Sequence, residues 1–279
     1  MSVRDYVEPQ SLDEALELAS KYAEDGKLLA GGTALVLLMR QKLLQPSVLV
    51  NLGKVPELAG IRQADGHIDI GATTTHDQAA RSELLRQHYP ALASTFAKVA
   101  TPRIRHAGTV GGNLAHGDPH LDPPVSLLAL DATVTLRSNT TERELKLADF
   151  FLDYYETALR PGEVLTGIRV PARLKGEGLA FLKFLPRSQD DYATVDLAVW
   201  LNGSDVRIAL GSVGTIVFRA TEAEALLKRQ PEALNEAGEL AAKAADPDDD
   251  VRGSAAYKRQ LIEVLLGRVI AEARQDAIR

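Results

Sequence analysis

Apolar positions recur at Leu12, Ala15, Leu16, Ala19 and Tyr22, the spacing of one helix face. Ser11 and Glu14 fit a capping box, so a helix is expected to start at Ser11 and to stop at Gly26. KLLA then reads as a short strand, GGT as a break and ALVLLMRQKLL as a second helix. Pro46 closes that helix, and SVLVNL reads as another strand. Strand, helix, strand in this order predicts a parallel βαβ unit with a right-handed connection.

The period then changes. HIDIGA alternates like a strand, while THDQAARSELL and YPALASTFAKVA read as helices. PPVSLLALDA is a short helix with prolines at its start. ATVTLRS, RELKLAD and VLTGIRV read as strands, with Pro161-Gly162 at one turn, so an antiparallel sheet is expected. After Pro171, GLAFLKFL, TVDLAVWLN and DVRIALGSV predict a three-stranded meander turning at Asn202-Gly203. Three helices follow: TEAEALLKR, PEALNEAGELAAKAA and AAYKRQLIEVLLGRVIAEARQ. Leu261, Val264, Leu265, Val269 and Ile270 fall near one face of the last, which is expected to pack on the meander. Trp200 continues the apolar run of its strand and is expected in the core. The pattern is α+β, divided into units 1–56, 57–172 and 173–279.

Composition narrows the function classes. Of 279 residues 45% are hydrophobic, enough for one large core or several modest ones. Aromatics are only 5%, so Leu, Ala and Val must fill it. The net charge of -6 argues against a nucleic-acid surface. The run Asp246 to Asp250 reads as a solvated loop. With no cysteine, the chain has no disulfide, thiolate-bound zinc or thiolate-bound iron–sulfur cluster of its own. MSVRDYVEPQ has no apolar signal region, and the apolar run Ala34 to Met39 is too short for a membrane span. A cytoplasmic location is expected.

Candidate chemistry gathers in ATPRIRHAGTVGGNLAHGDPHLDPP, residues Ala100 to Pro124, and in an earlier turn, Ala30-Gly31-Gly32-Thr33. The earlier turn joins a strand to a helix. Unpaired N–H groups and the helix dipole favour an anion there, and glycine lets it approach closely. A tight turn capped by Thr33 fits the same residues. Thr109-Val110-Gly111-Gly112-Asn113 again offers successive amides and two polar side chains, or else a bulge or turn in a sheet. Two such turns suit the two phosphates of a diphosphate. Neither is GxGxxG, and GxxxxGK[ST] is absent, so a Rossmann site or P-loop is unsupported.

LLAGGTALV, then ATPRIRHAGTVGGNLAHGDPHLDPP, then FLKFLPRSQDDYATV resemble, in order, the FAD-binding medium subunit of the molybdenum hydroxylases, the carbon monoxide dehydrogenase and xanthine dehydrogenase group. The resemblance covers nearly the whole chain. It implies a two-subdomain FAD-binding fold of the PCMH (vanillyl-alcohol oxidase-like) type, followed by a C-terminal domain of three-stranded sheet and helices. Units 1–56 and 57–172 would be the two FAD-binding subdomains. Ala30, Gly31, Gly32, Thr33 and Ala34 would form the first pyrophosphate loop, and Thr109, Val110, Gly111, Gly112 and Asn113 the second. Gly108 and Thr109 would help hold the ribityl and phosphate region. Asp122, Leu165 and Lys183 match cofactor-contacting positions, and Tyr192 a position beside the isoalloxazine ring. Relatives often carry a polar residue where this chain has Ala34, so one side-chain hydrogen bond is missing there.

The function so implied is electron transfer through noncovalent FAD, with no catalytic side chain of the subunit's own. Electrons would come from 2Fe–2S clusters on a small partner subunit and go to NAD+, oxygen or a quinone-type acceptor. Molybdenum cofactor would sit on a large partner subunit, in a dimer of heterotrimers. Two alternatives remain: a self-standing FAD-dependent reductase, and a nucleotide-binding assembly module without redox activity.

Other residues are read more plainly. His116, Asp118, His120 and Asp122 look like a metal cluster, but Pro119, Pro123 and Pro124 break the helix that would align them. Arg103 and Arg105 are placed to neutralise phosphate, meet a partner or lie on the surface. His106 reads as a local hydrogen-bonding residue. Asp190 and Asp191 are expected to orient Arg187 or cap a turn, and GSVG at Gly211 to Gly214 to end a strand rather than form a nucleophile elbow.

Overall fold

Strand β1 (Asp5–Val7), helix α1 (Leu12–Lys21), β2 (Gly26–Leu29), α2 (Leu35–Arg40) and β3 (Val48–Asn51) open the chain. Their strands form a parallel sheet in the order β1-β3-β2, so the βαβ unit is present. The computed structural model describes residues 3, 5–186, 188 and 190–278, which leaves Arg187 outside the described residues. Ser11 caps α1, its Oγ accepting the Glu14 N–H at 3.2 Å. The Glu14 carboxylate accepts from the Gln10 N–H at 2.7 Å rather than from that of Ser11, so the expected box closes one residue early. Helix α1 ends before the expected Gly26, which instead opens β2. Helix α2 is also shorter than its apolar run predicts. None of its residues is buried, so packing does not extend it, and Lys42 turns left-handed at φ 62°.

The middle of the chain runs β4 (Ile61–Ala64), β5 (His67–Gly71), α3 (His76–Arg81), α4 (Glu83–His88), α5 (Pro90–Ala97), α6 (Pro102–Ala107), α7 (Val110–His116) and α8 (Asp122–Ala129). It continues through β6 (Thr133–Arg137), β7 (Glu142–Lys146), β8 (Phe151–Asp153), β9 (Glu156–Thr157) and β10 (Val164–Pro171). A five-stranded antiparallel sheet, β4-β5-β10-β6-β7, packs its apolar face on these helices. THDQAARSELL splits into α3 and α4 because Ser82 takes extended backbone and caps α4, its Oγ accepting the Leu85 N–H. The TVGGN stretch is a helix start, with Thr109 as the N-cap of α7, and not a bulge.

The C-terminal part holds β11 (Glu177–Phe184), β12 (Val195–Asn202), β13 (Asp205–Gly211), β14 (Phe218–Arg219), α9 (Thr221–Arg229), α10 (Leu234–Ala244) and α11 (Ala255–Ala277). The meander has four strands rather than three, because the two-residue β14 pairs with β13. Strand β12 is covered on both faces, which explains its nearly unbroken apolar run. Val195, Leu197 and Val199 meet the C-terminal helices, while Ala198 and Trp200 face the middle of the chain. The Arg207 guanidinium lies 3.8 Å above the Trp200 ring. Leu265, Val269 and Ile270 of α11 are buried, but Val264 is 52% exposed and lies off the packed face.

Candidate functional site

The two glycine turns meet. A Cβ on Gly31 would stand 1.9 Å from the Ala107 carbonyl oxygen and 2.8 Å from the Gly108 Cα, so only glycine lets the backbones close. The place a Gly112 Cβ would occupy is 3.9 Å from the Ala30 Cβ, and that of Gly108 is 3.4 Å from the Thr33 hydroxyl. Residues about 75 positions apart in sequence therefore lie against one another.

The two turns differ in what they offer. Among the described residues, no protein acceptor takes the backbone N–H groups of Gly31, Gly32, Thr33 or Ala34. Gly32 bends the chain at φ 70°, and Ala34 opens α2 without a side-chain cap. Nothing in Ala34 competes for those amides. The second turn is more self-contained than the sequence suggested. Val110 N–H donates to the Thr74 carbonyl and Gly111 N–H to that of Ala72, each at 2.8 Å. Thr109 takes the other two, through its Oγ1 from Gly112 (3.1 Å) and its carbonyl from Asn113 (2.9 Å). Among the described residues, what remains open is the Thr109 N–H, the Thr109 hydroxyl proton and the buried Asn113 Oδ1.

A second cluster begins where α7 and the following loop deliver Asp122 to the start of α8. Lys183, on β11, donates to Asp122 Oδ2 at 2.9 Å and to the Lys98 carbonyl at 3.2 Å. Both side chains are about 95% buried, at 4% and 5% exposure. Burial pushes the Asp122 carboxyl up to about 6, against the pull of the Lys183 charge. Among the described residues its Oδ1 has no hydrogen-bond partner. Leu165 is buried on β10 in the same core as Val110 and Leu114. Tyr192 is 42% exposed, with its ring 5.8 Å from that of His120 and 5.3 Å from the Arg252 guanidinium.

The other candidates are occupied locally. His120 Nδ1–H donates to Asp118 Oδ1 at 3.0 Å. Burial would raise the Asp118 carboxyl, but hydrogen bonds from His120 outweigh it and hold the group below its ordinary range. Arg105 donates to the Val99 and Ala100 carbonyls of its own loop, and Arg103 is exposed. His106 Nδ1–H donates to the Pro102 carbonyl, and Asp191 accepts from the Tyr192 N–H in a turn.

Two residues of the site went unmarked in the sequence. His76 opens α3 and gives its backbone N–H to the Gly108 carbonyl at 3.0 Å. Its ring stacks on Phe96, its Nδ1 lacks a partner among the described residues, and burial foremost, with the Arg105 charge, lowers its pKa to about 4. The Thr75–Gln78 capping box marks the helix start, but nothing local marks the contact with the second turn. Asp196 is fully buried on β12, beside Lys183 across the sheet. A lone carboxylate inside TVDLAVWL was the available signal.

Residues 1–173 match the family described as "FAD binding domain in molybdopterin dehydrogenase", and residues 180–273 match "CO dehydrogenase flavoprotein C-terminal domain". The chain belongs to the FAD-binding medium subunits of the molybdenum hydroxylases. Over 278 residues this medium subunit is 37% identical to the 6-hydroxypseudooxynicotine dehydrogenase complex subunit alpha of Paenarthrobacter nicotinovorans, covering 96% of this chain and 94% of the relative. It is 36% identical to the carbon monoxide dehydrogenase medium chain of Afipia carboxidovorans, covering 98% and 97%. Among solved structures, reconstituted CO dehydrogenase from Oligotropha carboxidovorans has a chain that superimposes with a TM-score of 0.92 at 36% identity, covering 98% of both chains. Quinoline 2-oxidoreductase from Pseudomonas putida 86 gives 0.90 at 31% identity, covering 99% of the medium subunit and 98% of that chain. The residues present fit FAD. A run of free amides suits a diphosphate, and the unpartnered Asn113 and Asp122 oxygens suit hydroxyl and N–H donors.

Proposed function

We propose that this subunit holds FAD noncovalently across its two glycine turns and carries electrons between a partner's 2Fe–2S clusters and a terminal acceptor, NAD+, oxygen or a quinone-type compound. The observation that carries the reading is the free amide run from Gly31 to Ala34, pressed against Ala107 and Gly108. Bound FAD supplies the redox chemistry; the protein supplies position, charge and access.

In this reading Ala30, Gly31, Gly32, Thr33 and Ala34 bind the diphosphate through the backbone. Gly108 and Thr109 line the opposite wall, where the Thr109 hydroxyl donates. Val110 and Gly111 anchor that wall to Thr74 and Ala72, and Gly112 and Asn113 complete it. Lys183 places positive charge near the isoalloxazine, Asp122 orients Lys183 and accepts from the cofactor, and Leu165 packs beside it. Tyr192 covers one ring face and limits water. No side chain here acts as an acid, base or nucleophile.

Units 1–56 and 57–172 are taken as the two cofactor-binding halves and 173–279 as the cover. The partners are an iron–sulfur small subunit and a molybdopterin large subunit, in a cytoplasmic dimer of heterotrimers. The relatives' names as complex subunits and medium chains support this over a self-standing reductase. Among the described residues no helix is long and apolar enough to cross a membrane. The test is an absorption spectrum of the co-purified complex, followed by denaturation and identification of the released cofactor. One FAD per medium subunit is expected; an assembled complex free of flavin overturns the reading.

A further inference from the structure

Asp196 is the residue the cofactor reading leaves unused. It lies on β12 in register with Lys183 of β11 and Gly211 of β13. A Cβ on Gly211 would stand 2.5 Å from Val125 Cγ2 and 3.4 Å from the Asp196 Cβ, so α8 bears down on this spot. The Ser212 hydroxyl donates to Asp196 Oδ2 at 3.1 Å, and the Ser212 N–H holds the Pro119 carbonyl of the loop leading to Asp122. Among the described residues Asp196 Oδ1, like Asp122 Oδ1, is buried without a hydrogen-bond partner.

The charges do not match one to one. Lys183 forms its ion pair with Asp122, and among the described residues Asp196 has no ion pair. Lys98, at the C-terminal end of α5, directs its ammonium over the Phe181 ring at 5.2 Å and acts on both carboxylates only at a distance. Glu272 of α11 draws on the Lys98 charge in turn. An ionised carboxylate that is fully buried and unpaired is strongly disfavoured, so it takes up a proton instead. Burial, and then the Asp122 charge, push the Asp196 carboxyl well above its ordinary range.

We propose that Asp196 is a positioning residue beneath the Asp122–Lys183 pair, setting the charge this cluster presents to the flavin: neutral with Asp196 protonated, one unit more negative with it ionised. The inference rests on the reading that Asp122 and Lys183 face the cofactor. Reduction adds negative charge to the flavin, so an ionised Asp196 opposes it and a protonated one does not. Asp196 thereby links the ease of reduction to pH through a group that need not touch the cofactor.

The test measures flavin midpoint potential against pH in the assembled, FAD-loaded complex, wild type and Asp196→Asn. The potentials are expected to coincide at low pH. Above the Asp196 titration the variant should lie higher, by about 30 mV for a tenfold change in the two-electron equilibrium. A constant offset, or no offset at any pH, with full FAD occupancy overturns the role of Asp196 and leaves the cofactor site standing. An assembled complex without FAD overturns both. If Asp196→Asn does not assemble, infrared difference spectra of reduced minus oxidised complex serve instead. A protonated-carboxyl band that shifts in Ser212→Ala is expected, and its absence counts against the proposal.

Discussion

Gly31 approaches Ala107 so closely that its missing side chain is the condition for contact between the two turns. Replacing it with alanine forces backbone, not a flexible side chain, to move. Gly31→Ala is expected to cost about 1–3 kcal/mol and to lower FAD occupancy sharply. Denaturant melts and the FAD-to-protein ratio of the assembled complex check this. Unchanged occupancy would mean that the junction of the two turns is not the cofactor cradle.

Gly267 is the contrasting case. It lies within α11, and a Cβ there would meet nothing within 4 Å. Gly267→Ala should stabilise the chain by about 0.5–1 kcal/mol, because alanine loses less backbone entropy in a helix. A raised urea midpoint at unchanged slope is the expected result.

Thr109 caps α7 through Gly112, and in the proposed site its hydroxyl donates to the cofactor. Thr109→Ala should cost about 1 kcal/mol as a lost cap. Thr109→Ser should restore both stability and FAD binding. A serine variant that recovers stability but not occupancy would show that the methyl group matters to the site.

Lys183→Met leaves Asp122 buried without its ion pair. A loss of about 3–5 kcal/mol is expected at pH 8, where the carboxyl would remain charged or take up a proton unfavourably. The loss should shrink at pH 5, because Asp122 protonates more readily there. Urea melts at the two pH values decide it, and an equal loss at both would show that the pair's electrostatics are unimportant.

His76 predicts a pH dependence of opposite sign to that of the buried carboxylates. Its pKa is lowered to about 4 in the folded chain, against 6.5 in the unfolded chain. Between these values the unfolded state binds more protons. Stability is therefore full above about 6.5 and falls toward pH 4, by at most about 3 kcal/mol. His116, also lowered by burial, adds a slope of the same sign. His76→Leu should flatten the curve over this window, read from urea midpoints at half-unit pH steps.

Much of the fold was legible because its signals are local. Ser11 before an apolar face, proline at the start of α8 and Asn202-Gly203 between two strands each act over a few residues. Three departures from the local signals share one cause. The six-residue α2, the break at Ser82 and the short β14 depend on what packs against them or on competing caps. Of the site, the glycine turns were visible as two separate signals, but the unequal state of their amides was not. Val110 and Gly111 are satisfied by carbonyls nearly forty residues earlier in the chain.

By itself the sequence determined the type and order of most helices and strands, which turns carry glycine, and which family the chain resembles. Those are matters of backbone sterics and nearby hydrogen bonds. Only the tertiary structure decided that Gly31 abuts Ala107, that Lys183 pairs with Asp122, and that Asp196 is buried without an ion pair among the described residues. Each depends on segments about 60 or more residues apart, or on sheet pairing, meeting where water is excluded. Removal from water sets whether a carboxylate keeps its charge, and no short stretch of sequence carries that.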